Sequence, residues 1–110
     1  MHFIPDNGSK LAFLESILSR MKSSGVLILV DVFGEKYTDD FQEMIALVKE
    51  FWKDNKISET KKLEILETME NGVYPISEVR VLDLLKEVGF GKVIRFYTGL
   101  WVGGWMCMKN

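Results

Sequence analysis

The pattern of apolar and polar positions predicts a helix followed by a strand in the first third of the chain. Apolar residues recur every three to four positions over residues 11–21, which indicates a helix with Ser9 as its cap. Ser23, Ser24 and Gly25 end this pattern. Residues 26–30 are then all apolar, which is typical of a strand covered on both faces in a parallel sheet. We therefore expect this run to be the central strand.

The middle of the chain has helical periodicity throughout. A wide apolar stripe over residues 41–52 predicts a long buried helix after the Asp39-Asp40 pair. A second helix is indicated from Ser58 to the Asn71-Gly72 pair. Pro75 and Ser77 open a third, which Gly89 closes.

The last third of the chain predicts two strands. Residues 93–97 have strand character, residues 98–103 form a connection, and residues 104–109 form a closing strand. Strand alternation places Trp105 and Cys107 on one face and Met106 and Met108 on the other. The predicted order of elements is α-β-α-α-α-β-β.

Composition limits the classes of function. The 110 residues form one domain at most, and 47% hydrophobic with 27% charged residues indicates a globular chain. No run reaches the ~18 apolar residues of a membrane span, and no secretory signal precedes an apolar run, so we expect a cytoplasmic protein. The net charge is −2 and the lysines are interleaved with acids, which argues against nucleic-acid binding.

The cysteine and histidine content argues against a metal site. One Cys and one His cannot build a zinc site of the usual kind, so we expect no metal. We interpret Cys107 as a small core residue rather than a nucleophile.

Several short motifs, in this order, resemble a known family. Ser24-Gly25-Val26-Leu27 opens the apolar strand, and a helix ends in Leu84-Leu85-Lys86-Glu87-Val88-Gly89-Phe90 before the next strand. A Gly103-Gly104-Trp105 strand closes the chain. Together they resemble the C-terminal half of the class I S-adenosylmethionine-dependent methyltransferases.

The resemblance implies an α/β fold over residues 1–110, as a single partial domain. It would be the C-terminal half of a Rossmann-like methyltransferase fold, a three-stranded mixed sheet packed with helices. In the strand numbering of the family, strand five would come first in this chain. A hairpin of strands six and seven would follow, with strand seven antiparallel to the other strands. The opening residues 1–6 resemble the end of the family's fourth strand. Strands one to three, which carry the glycine-rich cofactor loop in the family, have no counterpart in these 110 residues.

The resemblance also supplies candidate site residues. S-adenosylmethionine is the implied cofactor, and His2 and Phe3 would lie near it. Tyr97, Trp101 and Trp105 would wall the pocket of the methyl acceptor. The alternative is a core role for the three aromatic residues, which we favour for Trp105, and a solvated terminal position for His2. No catalytic residue is assigned.

Two further features of the sequence favour a structural role. Asp31 ends a buried strand, where open α/β sheets place functional side chains, but we favour a turn acid. Gly89-Phe90-Gly91 follows a helix and enters a strand, the reverse of a phosphate-binding turn, so it is interpreted as a helix terminator.

The sheet predicted by the resemblance has an exposed edge. In the family the fifth strand lies between the fourth and the seventh, so residues 26–30, from Val26 to Val30, would lack one neighbour. An apolar open edge needs a pairing partner. We expect a homodimer through this edge, or a partner chain that supplies the other half.

Two functions follow. The first is part of an enzyme that transfers a methyl group to a small molecule or nucleoside, inactive as this chain alone. The second is a non-catalytic interaction module that dimerises or regulates a full-length methyltransferase.

Overall fold

The predicted order of helices and strands is confirmed. The computed structural model describes the backbone of residues 1–110 and all side chains except those of residues 54, 69 and 70. The elements are α1 (Ser9–Arg20), β1 (Val26–Val32), α2 (Asp39–Asp54), α3 (Glu59–Glu67), a π turn (Thr68–Gly72), α4 (Glu78–Val88), β2 (Phe90–Gly99) and β3 (Val102–Lys109).

The three strands form an open antiparallel sheet in the order β1-β3-β2. β3 is antiparallel to both neighbours, with Leu29 opposite Trp105 and Val93 opposite Cys107. The predicted hairpin with an antiparallel last strand is therefore present. The expected mixed sheet is absent. β1 and β2 point the same way, but β3 separates them, so both pairs of neighbouring strands are antiparallel. The prediction of β1 as the central strand was wrong, since β3 takes that place.

The apolar run in β1 is covered on one face only. Leu29 is 8% exposed, whereas its neighbours Ile28 and Val30 are 54% and 55% exposed. Helices α1 and α4 cover the inner face of the sheet. The expected cover on both faces is absent among the described residues.

The hydrophobic core lies between the inner face of the sheet and these two helices. Leu14 of α1 and Leu84 and Leu85 of α4 are at most 1% exposed, and they join Trp105 and Cys107 of β3, both fully buried. The predicted faces of β3 are confirmed, because Met106 and Met108 point to the other side and stay partly exposed. Burial of such side chains stabilises each by roughly 1.5–3 kcal/mol.

Side-chain caps explain where the later helices begin. The hydroxyl oxygens of Thr38, Ser58 and Ser77 accept hydrogen bonds from backbone N–H groups in the first turns of α2, α3 and α4. Gly89 ends α4 at a φ of 120°, in the left-handed region that favours glycine. Only the first helix differs, since Gly8 and not Ser9 is its cap.

The hairpin between β2 and β3 is tighter than predicted. Gly99 pairs with Val102, so Leu100 and Trp101 alone form the turn. Leu100 has a φ of 52°, which two-residue hairpin turns require and which is uncommon for a branched residue. The turn therefore holds Trp101 at the end of the sheet.

The glycines of β3 supply a first prediction. A Cβ on Gly103 would lie 2.5 Å from Cη2 of the buried Trp105, whereas one on Gly104 would meet the half-exposed Phe96 ring at 2.8 Å. We expect Gly103→Ala to lower the free energy of unfolding by about 1–3 kcal/mol, because Trp105 has no space to move. Gly104→Ala should cost less, since Phe96 can rotate towards solvent. Urea unfolding measures both, and equal midpoints for the two variants would contradict this packing.

Candidate functional site

A cleft of about 390 Å³ opens where β1 ends. The opening segment of the chain and the end of β1 form one wall, and α3 with the residues after it forms the other. The lining side chains are His2, Phe3, Val32, Lys61, Glu64, Ile65, Thr68, Val73 and Trp101. The cleft therefore lies beyond the carboxyl end of β1.

Asp31 is the buried polar group behind the cleft. It is 4% exposed and lies on the inner face of β1, opposite Gly103. Its Oδ1 accepts hydrogen bonds from the backbone N–H groups of His2 and Val32, both at 3.0 Å, and contacts Nδ1 of the His2 ring. A buried carboxylate needs such donors, so Asp31 fixes the opening segment against the strand.

Other contacts hold the same segment in place. The Tyr74 N–H donates to the carbonyl of His2, and Nζ of Lys10 donates to the carbonyl of Met1 at 3.0 Å. Lys10 is 1% exposed. Burial lowers the pKa of Lys10, and the negative charges of Asp31 and Asp6 oppose that shift.

The hairpin turn brings Trp101 to the cleft. The Trp101 carbonyl accepts a hydrogen bond of 2.7 Å from the Phe33 N–H, which ties the turn to the chain just after β1. The Trp101 ring lies 5.9 Å from the ring of Phe41, centroid to centroid. Phe41 is buried at the start of α2, so both the backbone and the ring of Trp101 have contacts that hold them in place.

The structure brings together three of the five residues named from the sequence. His2, Phe3 and Trp101 line the cleft, and the His2 and Phe3 rings are 4.1 Å apart. Trp105 is fully buried in the core, edge-on to Phe33, and is not part of the cleft. Tyr97 is half-exposed on the outer face of the sheet, opposite Gly104.

Sequence reasoning missed two contributors to the site. The sequence favours a turn acid at Asp31, but its carboxylate is buried and its Oδ1 contacts the opening segment. Lys10 was not singled out. The sequence spacing could have indicated that Lys10 is buried. Lys10 precedes Leu14 by four residues and therefore lies on the same, core-facing side of α1.

A second, larger groove of about 540 Å³ lies on the other side of Val73. Its polar lining includes Asp6, whose carboxylate accepts two hydrogen bonds from the Arg80 guanidinium, at 2.9 and 3.2 Å. This contact lowers the pKa of Asp6. The charges of Asp6 and Arg80 offset each other, and three of the residues named from the sequence line the cleft near Asp31, so we assign the site to that cleft.

Cys107 has the properties of a core residue. Burial raises the pKa of its thiol to about 11, which leaves almost no thiolate at neutral pH. Among the described residues, no group of three or more His, Cys, Asp or Glu is placed to hold a metal ion.

No model of a protein family matches the chain, and no curated protein matches it. Within the part of the chain that the structure describes, no helix has both the length and the apolar character to cross a membrane.

Proposed function

We propose that the chain is the C-terminal portion of a methyltransferase-like α/β domain and forms the acceptor side of its active site. The observation that carries the proposal is the strand order. β3 lies antiparallel between β1 and β2, which point the same way. In the methyltransferase family, strand seven lies between strands five and six and forms a hairpin with strand six. The observed order agrees with this arrangement if β1, β2 and β3 correspond to strands five, six and seven.

The open surfaces of the sheet support the same proposal. One edge of β1 pairs with β3, and the other has no strand beside it among the described residues. Apolar side chains on the outer sheet face include Val26, Ile28, Val30, Ile94, Phe96, Tyr97, Met106 and Met108, and six of these are more than a third exposed. Doubly wound α/β sheets carry helices on both faces. Further strands and helices of such a domain would cover both surfaces.

The residues present do not by themselves fit S-adenosylmethionine. The cleft supplies aromatic rings and the rim charges of Lys61 and Glu64. Among the described residues, no glycine-rich turn joins a strand to a helix N-terminus that faces the cleft, which is the arrangement that anchors a nucleotide cofactor in related folds. The chain alone is therefore proposed to be inactive, with the cofactor bound chiefly by residues outside it.

A non-catalytic interaction module is the second candidate, and the outer sheet face favours it. Monomeric proteins rarely expose contiguous apolar patches larger than a few hundred Å². A module that docks on, and regulates, a complete methyltransferase would use this face and the β1 edge without any cofactor site.

Binding of S-adenosylhomocysteine separates these possibilities. We expect calorimetric titration of the chain alone to show no saturable heat, because the cofactor-binding elements lie outside it. Saturable binding at one site per chain would contradict the proposed inactivity.

The methyltransferase proposal itself is tested by the coding sequence next to this reading frame. We expect it, or a neighbouring frame, to encode a strand followed by a glycine-rich turn and a helix. Absence of such a segment would contradict the enzyme proposal and leave the interaction module.

The open edge and outer face predict self-association when no other partner is present. We expect the sedimentation coefficient of the purified chain to rise with protein concentration, because pairing of two β1 edges buries the apolar side chains beside them. Ile28→Lys should abolish the rise by placing a charge on this surface.

Val79→Lys is the matched control. Val79 is an apolar β-branched residue of α4 that is 70% exposed and lies away from the outer sheet face. This variant should sediment as the unmodified chain does. A clean monomer of the unmodified chain at the highest concentrations would contradict pairing through these surfaces.

A further inference from the structure

Helix α2 carries an apolar trough that the candidate site does not use. The trough has a volume of about 400 Å³ and is lined by Leu47, Val48, Phe51, Trp52 and Leu100. Four of these residues belong to α2, and Leu100 comes from the hairpin turn between β2 and β3. All five are hydrophobic, so the trough offers a ligand chiefly apolar surface.

The side chains of the trough lie at the surface of the molecule. Leu47 is 63% exposed, Phe51 is 61% exposed and Leu100 is 54% exposed, whereas Trp52 is 7% exposed. Water in contact with large apolar side chains is unfavourable, and covering them stabilises a complex in proportion to the apolar area removed from water. A cluster of this kind is typical of a surface that binds another molecule.

An acidic strip lies directly beside the apolar trough. A second cavity of about 360 Å³ on α2 is lined by Glu43, Ala46, Leu47 and Glu50. Leu47 lines both cavities, so the two are continuous. Residues 43, 47 and 50 follow the spacing of one helix face, and Phe51 lies one turn after Leu47. The two carboxylates therefore lie along one side of the row formed by Leu47 and Phe51.

The charge of this part of α2 is mostly negative. The sequence of the helix contains five acidic residues and two lysines. Glu50 forms an ion pair of 3.1 Å with Lys53, but both side chains are 68% exposed, so the pair is weak and Glu50 can exchange its partner. Among the described residues Glu43 has no ion pair. A ligand that complements this surface must place positive charges next to apolar groups.

We propose that the surface formed by Glu43, Leu47, Glu50, Phe51 and Leu100 binds an amphipathic helix of another protein, with basic side chains beside its apolar stripe. At a rise of 1.5 Å per residue, residues 43–51 of α2 extend over about 12 Å, which corresponds to roughly two turns of a partner helix. Apolar residues on successive turns of the partner would enter the trough, and its lysine or arginine side chains would reach the two carboxylates.

The surface is separate from the cleft at the end of β1. No described residue lines both the cleft and either cavity on α2. The inference therefore goes beyond the proposed function and does not depend on it. The acidic strip also disfavours an anionic lipid surface as the ligand, because like charges repel across an interface.

A synthetic helical peptide of leucine and lysine tests the proposal. The probe has about 14 residues, or about four turns, with leucine on one face and lysine elsewhere, and it carries a fluorescent label for anisotropy measurements. We expect saturable binding at one site per chain, which weakens as salt is raised because charges at the rim contribute. The same peptide with glutamate in place of every lysine should bind weaker by about tenfold or more, because it brings like charges together.

Variants of the chain locate the binding surface. Leu47→Lys should weaken binding of the leucine–lysine peptide by about tenfold or more, because an apolar contact is lost and a repulsive charge is added. Leu63→Lys is the matched control, since Leu63 of α3 is 66% exposed and lines neither cavity on α2. The double variant Glu43→Gln and Glu50→Gln should weaken binding by roughly fivefold and reduce its salt dependence. All four positions are exposed, so the variants should keep the fold.

Three binding results would overturn the proposal. They are equal affinity for the lysine and glutamate peptides, equal loss of affinity in Leu47→Lys and Leu63→Lys, and no saturable binding of the lysine peptide. NMR shift changes confined to the outer sheet face would also overturn it, because they would place the peptide on a different apolar surface. If Leu47→Lys abolishes the rise of the sedimentation coefficient with concentration, a second copy of the chain covers the trough, and the proposed partner is wrong.

Discussion

The position of β3 between β1 and β2 is the constraint on which the rest of the structure depends. Both of its edges are paired, so its inward side chains, Trp105 and Cys107, become the centre of the core against α1 and α4. The same position makes β1 an edge strand and leaves its outer side chains uncovered. The inner face of the sheet is therefore covered by helices, whereas the outer face is exposed among the described residues.

β3 also brings the parts of the cleft together. Its tight turn ties Trp101 to the chain after β1, and its Gly103 lies opposite Asp31. A side chain at 103 would collide with Trp105, so glycine allows the core ring and the end of β1 to approach. The Asp31 carboxylate accepts a hydrogen bond from the His2 backbone N–H and contacts the His2 ring, which lines the cleft. The site is thus a consequence of the pairing of β1 with β3.

Local patterns predicted most of the fold, and long-range pairing accounts for what they missed. The capping hydroxyls of Ser58 and Ser77 and the terminator Gly89 act within one turn of chain, so the sequence places them well. The exposure of Val30 depends on which elements cover the sheet, which its apolar neighbours do not reveal. In the site, Trp101 was named from the family resemblance. The role of Asp31 was not predicted, because its partner His2 is 29 residues away in the chain.

Hydrogen exchange along the sheet tests the proposal that a second copy of the chain pairs with the open edge of β1 when no other partner is present. NMR measures the exchange rate of each backbone amide, so the three strands can be compared with one another at low and at high protein concentration. We expect slow exchange throughout β3 at both concentrations, because both of its edges are paired. Amides of β1 that point to the open edge should exchange quickly in dilute solution and become protected as the chain associates. Exchange rates in β1 that do not change with concentration would contradict the claim.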